Sequence, residues 1–201
     1  YFDNGQGTAF RQAKNNAKIL RYGENPHQKG VFYGRFDEMF DQLQGKEISY
    51  NNLLDIDAAV SLIGDFDELT FAILKHNNAC GIASRPTLIE AWKAALAGDP
   101  VSAFGGVLIT NGAVDKETAE EINKLFFEVI IAPDYDMGAL EVLTQKKNRI
   151  ILVQKEMPAS KRQFRSLLNG VLMQERDTHI EKPEELQQVT EKAVAAEEIE
   201  D

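Results

Sequence analysis

Short apolar runs recur along this chain, separated by segments of helical length. Phe71-Ala72-Ile73-Leu74, Val107 to Thr110, Val129-Ile130-Ile131-Ala132 and Ile150-Ile151-Leu152-Val153 each read as a buried strand. Between them, Thr87-Leu88-Ile89-Glu90 has the spacing of a capping box ahead of a helical run to Ala97, with Gly98 as its stop signal. Asp115 can cap a helix reaching Leu125, and Asp136 can open another after the Pro133 break. This alternation predicts βαβ crossovers and an α/β fold. The expected core is a mainly parallel sheet with strands near 71–75, 106–110, 128–132 and 149–153, flanked by helices.

The flanking segments add three expectations. Asn51 to Phe66 places Leu54, Ala58, Leu62 and Ile63 at helical spacing, with Asp55 and Asp57 near the positive end of the helix. Leu167-Leu168 and Val171-Leu172-Met173 around Gly170 predict a bent strand or a hairpin, and Pro183 predicts the start of a terminal helix. Both ends read as cut edges. The chain opens on Tyr1-Phe2-Asp3-Asn4-Gly5 without an initiator Met and closes on Glu197-Glu198-Ile199-Glu200-Asp201 inside a helix-compatible run.

Composition narrows the function classes. With 201 residues, 43% of them hydrophobic, the chain can bury a substantial core. Its net charge of -10 argues against gripping long nucleic acid through backbone phosphates, although local cations can still bind a single phosphate. Cys80 is the sole cysteine, which excludes an internal disulfide and suits a reducing compartment. With no signal peptide and no apolar stretch of spanning length, the expectation is a cytoplasmic, soluble protein without a membrane partner.

The inventory also limits the chemistry. Three histidines (His27, His76 and His179) and one cysteine make a poor zinc ligand set, and the deaminase pattern H-x-E with P-C-x-x-C is absent, so no metal is expected. Neither G-x-G-x-x-G nor a Walker loop occurs. Lys75-His76 is the most informative dipeptide, because it sets a cation beside a titratable base at the exit of an apolar run. Cys80, four residues on, is either a nucleophile served by His76 or a small buried thiol. Ser102-Ala103-Phe104-Gly105-Gly106 lets backbone approach a ligand, or is a strand-entry turn. Arg21-Tyr22-Gly23-Glu24-Asn25-Pro26-His27-Gln28 combines an anion-binding fork, an aromatic, a Pro-fixed turn and a base.

These segments, with Gln44-Gly45-Lys46-Glu47-Ile48-Ser49-Tyr50-Asn51-Asn52 and Glu128-Val129-Ile130-Ile131-Ala132-Pro133, occur in an order that closely resembles the transformylase part of the AICAR transformylase/IMP cyclohydrolase family. The resemblance covers roughly residues 18 to 200. It implies that residues 1–17 are a linker remnant and that 18–201 are the first cytidine-deaminase-like half of the transformylase domain, without zinc. The cyclohydrolase domain would precede this segment and the second half would follow it. The implied reaction moves a formyl group from 10-formyltetrahydrofolate to the 5-amino group of AICAR ribonucleotide, giving FAICAR. Folate would be the co-substrate, no metal would be required, and the site would form between the two halves and across a homodimer.

Residue by residue, the family motifs fall on Lys75 and His76 as catalytic residues, and on Arg21, Tyr22, His27, Asn52, Phe104, Gly105 and Glu128 as substrate-binding residues. The resemblance implies Arg21 and Tyr22 near the nucleotide phosphate, Gly105 and Glu128 near the ribose, and His76 near the amine. Formyl transfer needs a base for the amine and a proton for the departing folate nitrogen. A lysine pKa near 10.4 would have to fall by about three units, roughly 4 kcal/mol, to act as a neutral base at pH 7, whereas histidine near 6.5 needs almost no shift. His76 is therefore the expected proton acceptor with Lys75 as oxyanion partner, and a neutral Lys75 as acceptor is the alternative. Three readings stand: a formyltransferase fragment, a folded nucleotide-binding and dimerisation module inactive by itself, and a Cys80 nucleophile enzyme.

Overall fold

The apolar runs condense into one sheet, and the segments between them fold back as helices onto its two faces. This computed structural model describes residues 10, 12–14, 16–155, 161–177 and scattered positions between 179 and 195. They fall into two units, Tyr1–Pro158 and Ala159–Asp201. The first unit runs β1 (Ala17–Ile19), β2 (Val31–Tyr33), a 3-10 turn (Phe36–Glu38), β3 (Phe40–Gln44), α1 (Tyr50–Ile63), β4 (Thr70–Lys75), β5 (Asn78–Ser84) and α2 (Leu88–Gly98). It continues through β6 (Val107–Thr110), α3 (Lys116–Ile122), β7 (Val129–Ala132), α4 (Met137–Leu143) and β8 (Ile150–Gln154). β1 and β2 form a small antiparallel ribbon, and the other six strands form one sheet in the order β3-β8-β7-β6-β4-β5.

All four expected strands are present, but the sheet is mixed and not mainly parallel. Only β6–β7 and β7–β8 pair in parallel; β4 is antiparallel to both β5 and β6, and β3 is antiparallel to β8. The reason lies in β5. Its sequence, Asn-Ala-Cys-Gly-Ile-Ala-Ser, is a partly exposed edge strand with no long apolar run, so the pattern hides it. The crossover through α2 starts from β5, skips over β4 and lands in β6, which leaves β4 between two strands running the other way.

Alternation along the strands divides the core. Phe71 and Ile73 of β4 join Trp92 of α2, Ile122 of α3 and Leu143 of α4 on one face. Ala72 and Leu74 join Ile56, Ala59 and Ile63 of α1 on the other. The buried stripe of α1 is thus Asn52, Ile56, Ala59 and Ile63, displaced from the expected one: Leu54 is 43% exposed and Ala58 and Leu62 are half-buried. The helix is set by its cap, in which Ser49 and Asn52 form a capping box one position before Tyr50. Asp115 and Asp136 accept from Thr118 N–H at 2.7 Å and Ala139 N–H at 2.6 Å, capping α3 and α4 as expected, although α3 stops at Ile122. Thr87 instead donates its hydroxyl to Glu90 at 2.6 Å, and α2 runs through Gly98.

The second unit contains an antiparallel hairpin of β9 (Arg162–Leu167) and β10 (Gly170–Glu175), the hairpin alternative read from residues 167–173. Its turn places Leu168 at φ 50°. The helix expected from Pro183 lies outside the described residues. Among the described residues, no helix is long and apolar enough to cross a membrane.

Candidate functional site

β4 ends where its pairing with β5 closes, Lys75 opposite Asn78, leaving His76 and Asn77 as a two-residue turn. Both have positive φ, 53° and 64°, the conformation of the hairpin turn that matches strand twist. His76 is therefore not a strand residue, and the rule that neighbouring strand side chains face opposite ways does not separate it from Lys75. The turn is pinned from two directions. Asn77 N–H donates to Asp55 Oδ1 of α1 at 2.8 Å, and Asn78 Nδ2 donates to the His76 carbonyl at 2.7 Å.

Because β4 runs against β6, its exit lies beside the entries of β6 and β7. Leu74 pairs with Val107, and Val107 with Val129. The site edge is thus the carboxyl end of β4 but the amino end of the parallel strands. Here Lys75 Nζ donates to the carbonyl oxygen of Phe104 at 2.9 Å. Gly105, at φ 76°, donates its N–H to the Phe126 carbonyl at 2.8 Å, and Glu128 N–H donates to the Gly106 carbonyl at 3.0 Å. A Cβ on Gly106 would lie 2.7 Å from the Leu74 carbonyl oxygen, so only glycine allows this approach. The loop is stiffened at its start by Asp99, which accepts from Ser102 Oγ at 2.6 Å and from the N–H groups of Ser102 and Val101 at 2.9 and 3.1 Å. The Ser102 hydroxyl foremost, and its N–H next, hold the Asp99 carboxyl below the usual carboxylate range.

Lys75, Phe104, Gly105 and Glu128 are thereby stitched to one edge of the sheet. Arg21, Tyr22 and His27 lie on the loop between β1 and β2, where the Arg21 guanidinium sits 5.6 Å from the centre of the Tyr22 ring. Asn51 of α1 donates to the Glu24 carbonyl at 3.2 Å, so this loop and the His76 turn are both anchored on α1. Asn52 is buried, and its carboxamide oxygen accepts from Ser49 N–H and Oγ at 3.3 and 2.9 Å, a structural use that sequence reading did not separate from ligand binding.

Three residues at this edge went unassigned in the sequence. Lys46 forms an ion pair with Glu128. Phe126 stands 5.1 Å from Phe104, ring centre to ring centre, with both rings exposed. Arg149 is buried at the entry to β8. Lys46 was legible as part of the Gln44–Asn52 motif, whereas nothing local marked the other two. Cys80 is the extra residue where the β4–β5 register shifts, and its Sγ donates to the Ile73 carbonyl at 3.4 Å. Burial pushes its thiol pKa up, which opposes a role as nucleophile. Among the described residues, no group of three or more His, Cys, Asp or Glu could hold a metal ion.

A mixed sheet with helices on both faces and a lysine-histidine hairpin turn facing a glycine loop defines an α/β protein with a ligand-type edge. The chain belongs to the AICARFT/IMPCHase bienzyme family, whose model matches residues 1–201. It is 71% identical, over all 201 residues, to 40% of the bifunctional purine biosynthesis protein PurH of Bacteroides thetaiotaomicron. It is also 45% identical over 193 residues to PurH of Chlorobium luteolum, spanning 90% of this chain and 37% of that protein. PurH of Rhodospirillum rubrum is 49% identical over 168 residues, 80% of this chain and 32% of that protein. The chain spans between about a third and two fifths of the length of these relatives.

Proposed function

We propose that this chain is the first half of a transformylase domain, cytidine-deaminase-like in fold, and that it contributes to formyl transfer from 10-formyltetrahydrofolate to the 5-amino group of AICAR ribonucleotide. The observation that carries this reading is the contact of Lys75 with the Phe104 loop, which sets the Lys-His turn, Gly105 and Glu128 along one sheet edge. In the reaction the amine attacks the formyl carbon and a tetrahedral oxyanion forms. His76, exposed on its turn, takes the amine proton. The carbon–nitrogen bond to the folate then breaks as that nitrogen is protonated. Lys75 stabilises the oxyanion, which a positioned cation does most effectively when solvent is excluded. A neutral Lys75 as proton acceptor is the alternative within the same scheme.

Arg21 and Tyr22 serve the nucleotide phosphate, with His27 on the same loop. Gly105 and Glu128 serve the ribose, Phe104 lines the base, and Asn52 holds the helix that carries the anchors of both loops. The rest of the domain and a homodimer partner complete the site, and the compartment is the cytoplasm. The chain's span of between about a third and two fifths of its relatives favours a second reading for this segment in isolation, a folded nucleotide-binding and dimerisation module without turnover. Transfer of isotope from labelled 10-formyltetrahydrofolate to AICAR ribonucleotide tests both. Activity only after the remaining segment of a relative is added supports the half-site reading. Transfer by neither preparation overturns the assigned reaction.

A further inference from the structure

A cleft of about 250 Å³ opens on the far side of Glu128 from the Lys75 turn, walled by Lys46, Phe127, Glu128, Lys146, Lys147 and Arg149 among others. Four cations and one carboxylate meet there, in a chain whose net charge is -10. The carboxylate is already paired with Lys46. Arg149 is 3% exposed, and its guanidinium carbon stands 4.0 Å from the centre of the Phe127 ring. Its Nη1 donates to Asn123 Oδ1 at 3.1 Å and to the Leu143 carbonyl at 3.2 Å, which fixes the plane of the group. Nε and Nη2, both buried, have no hydrogen-bond partner among the described residues.

Those two nitrogens are not an arbitrary pair. Nε–H and Nη2–H form the side-on edge of a guanidinium, whose parallel donors match two oxygens of one carboxylate or phosphate. Buried donors left unmatched are costly, and a fork oriented by Nη1 and by a ring face has already lost the freedom that binding would otherwise remove. Burial lowers the Arg149 pKa to about 10, so the group is still a cation at neutral pH. Lys146 and Lys147 are exposed and add two more positive charges at the mouth. From this geometry we propose that the cleft is a second oxyanion subsite, in which the side-on fork of Arg149 takes two oxygens of a phosphate or carboxylate and the lysines supply the balancing charge. The site is distinct from the Arg21 loop, and its occupant is a small anion or the anionic end of a larger ligand. Nε and Nη2 are screened in the present conformation, so the anion enters by local movement of the cleft wall.

The test is calorimetric titration of the 201-residue chain with inorganic phosphate and, separately, with glutarate, at constant ionic strength. The expected result is saturable one-to-one binding of at least one of them, and the preferred anion identifies the chemical source. In Arg149→Lys the dissociation constant should rise about tenfold or more, because an ammonium cannot reproduce the fork. Lys147→Ala should weaken binding by a smaller factor. Should Arg149→Lys lose its folded circular dichroism, Lys46→Ala and Lys147→Ala decide: weakening in either supports the site, and wild-type affinity in both overturns it. No saturable binding of either anion overturns it, as does equal affinity in a folded Arg149→Lys. None of these readouts depends on formyl transfer.

Discussion

Lys75 and Phe104 lie 29 positions apart in the chain, yet the lysine nitrogen donates to the phenylalanine carbonyl at 2.9 Å, closing the exit of β4 onto the loop that enters β6. In a complete family protein, Lys75→Met should lower turnover by about a hundredfold or more, the scale of losing a positioned oxyanion donor. Lys75→Arg should also be damaging, because a planar guanidinium does not replace a compact ammonium. Steady-state kinetics on both variants check this, and near-normal turnover would remove Lys75 from the mechanism.

His76 separates chemistry from conformation. His76→Ala should cost at least about a hundredfold in turnover, the lower range for loss of acid-base catalysis. His76→Gly should be equally inactive yet more stable than His76→Ala by up to about 1 kcal/mol, because φ 53° strains any residue with a Cβ. Urea denaturation of the pair supplies the second measurement. Equal stabilities would mean that the turn relaxes on substitution.

Gly105 and Gly106 should fail for different reasons. Gly105→Ala makes only an ordinary van der Waals contact, 3.7 Å from the Phe126 ring, but keeps a left-handed backbone, at a cost of about 1–2 kcal/mol. Gly106→Ala drives a methyl group to 2.7 Å from the Leu74 carbonyl, an overpacking worth about 1–3 kcal/mol that pushes directly on the strand leading to Lys75. Gly105→Asn should recover part of the first loss, since asparagine tolerates this conformation, whereas Gly106→Asn should be worse than Gly106→Ala. Denaturation midpoints rank the four.

Alkylation of Cys80 tests the nucleophile reading. A thiol pKa raised by burial means less thiolate at every pH below it, so iodoacetamide should react with Cys80 more slowly than with a free thiol at pH 8. The rate should keep climbing with pH beyond the point where the free thiol has levelled off. A rate at or above that of the free thiol would revive Cys80 as a nucleophile.

Strands that are buried on both faces announced themselves in the sequence. β4, β6, β7 and β8 carry continuous apolar residues because nearly every position is buried, and their limits were legible to within a residue or so. Direction was not legible. β5 lies at an edge with only partly buried residues and a bulge at Cys80, so its pattern carries no periodic signal, and without it β4 reads as the start of a parallel crossover. At the candidate site, Lys75, His76 and Gly105 stood out because turn chemistry and a helix-free exit are local properties. Lys46 acquires its setting from Glu128, far away in sequence, and Arg149 from Asn123 and the Phe127 ring, more than twenty positions away, together with the Leu143 carbonyl.

The first turns of α1 act as a common datum for two loops that never adjoin in sequence. Asn51 fixes Glu24, and Asp55 fixes Asn77, while the position of the helix itself is set beneath by Ala59, which is fully buried against the sheet. A bulkier residue such as leucine at 59 would lift the helix and carry both loops with it as one body. Phe104 and Glu128, seated on the strands, would stay behind. An alteration in the hydrophobic core, remote from every reacting atom, would then misalign the two sides of the site while leaving each intact.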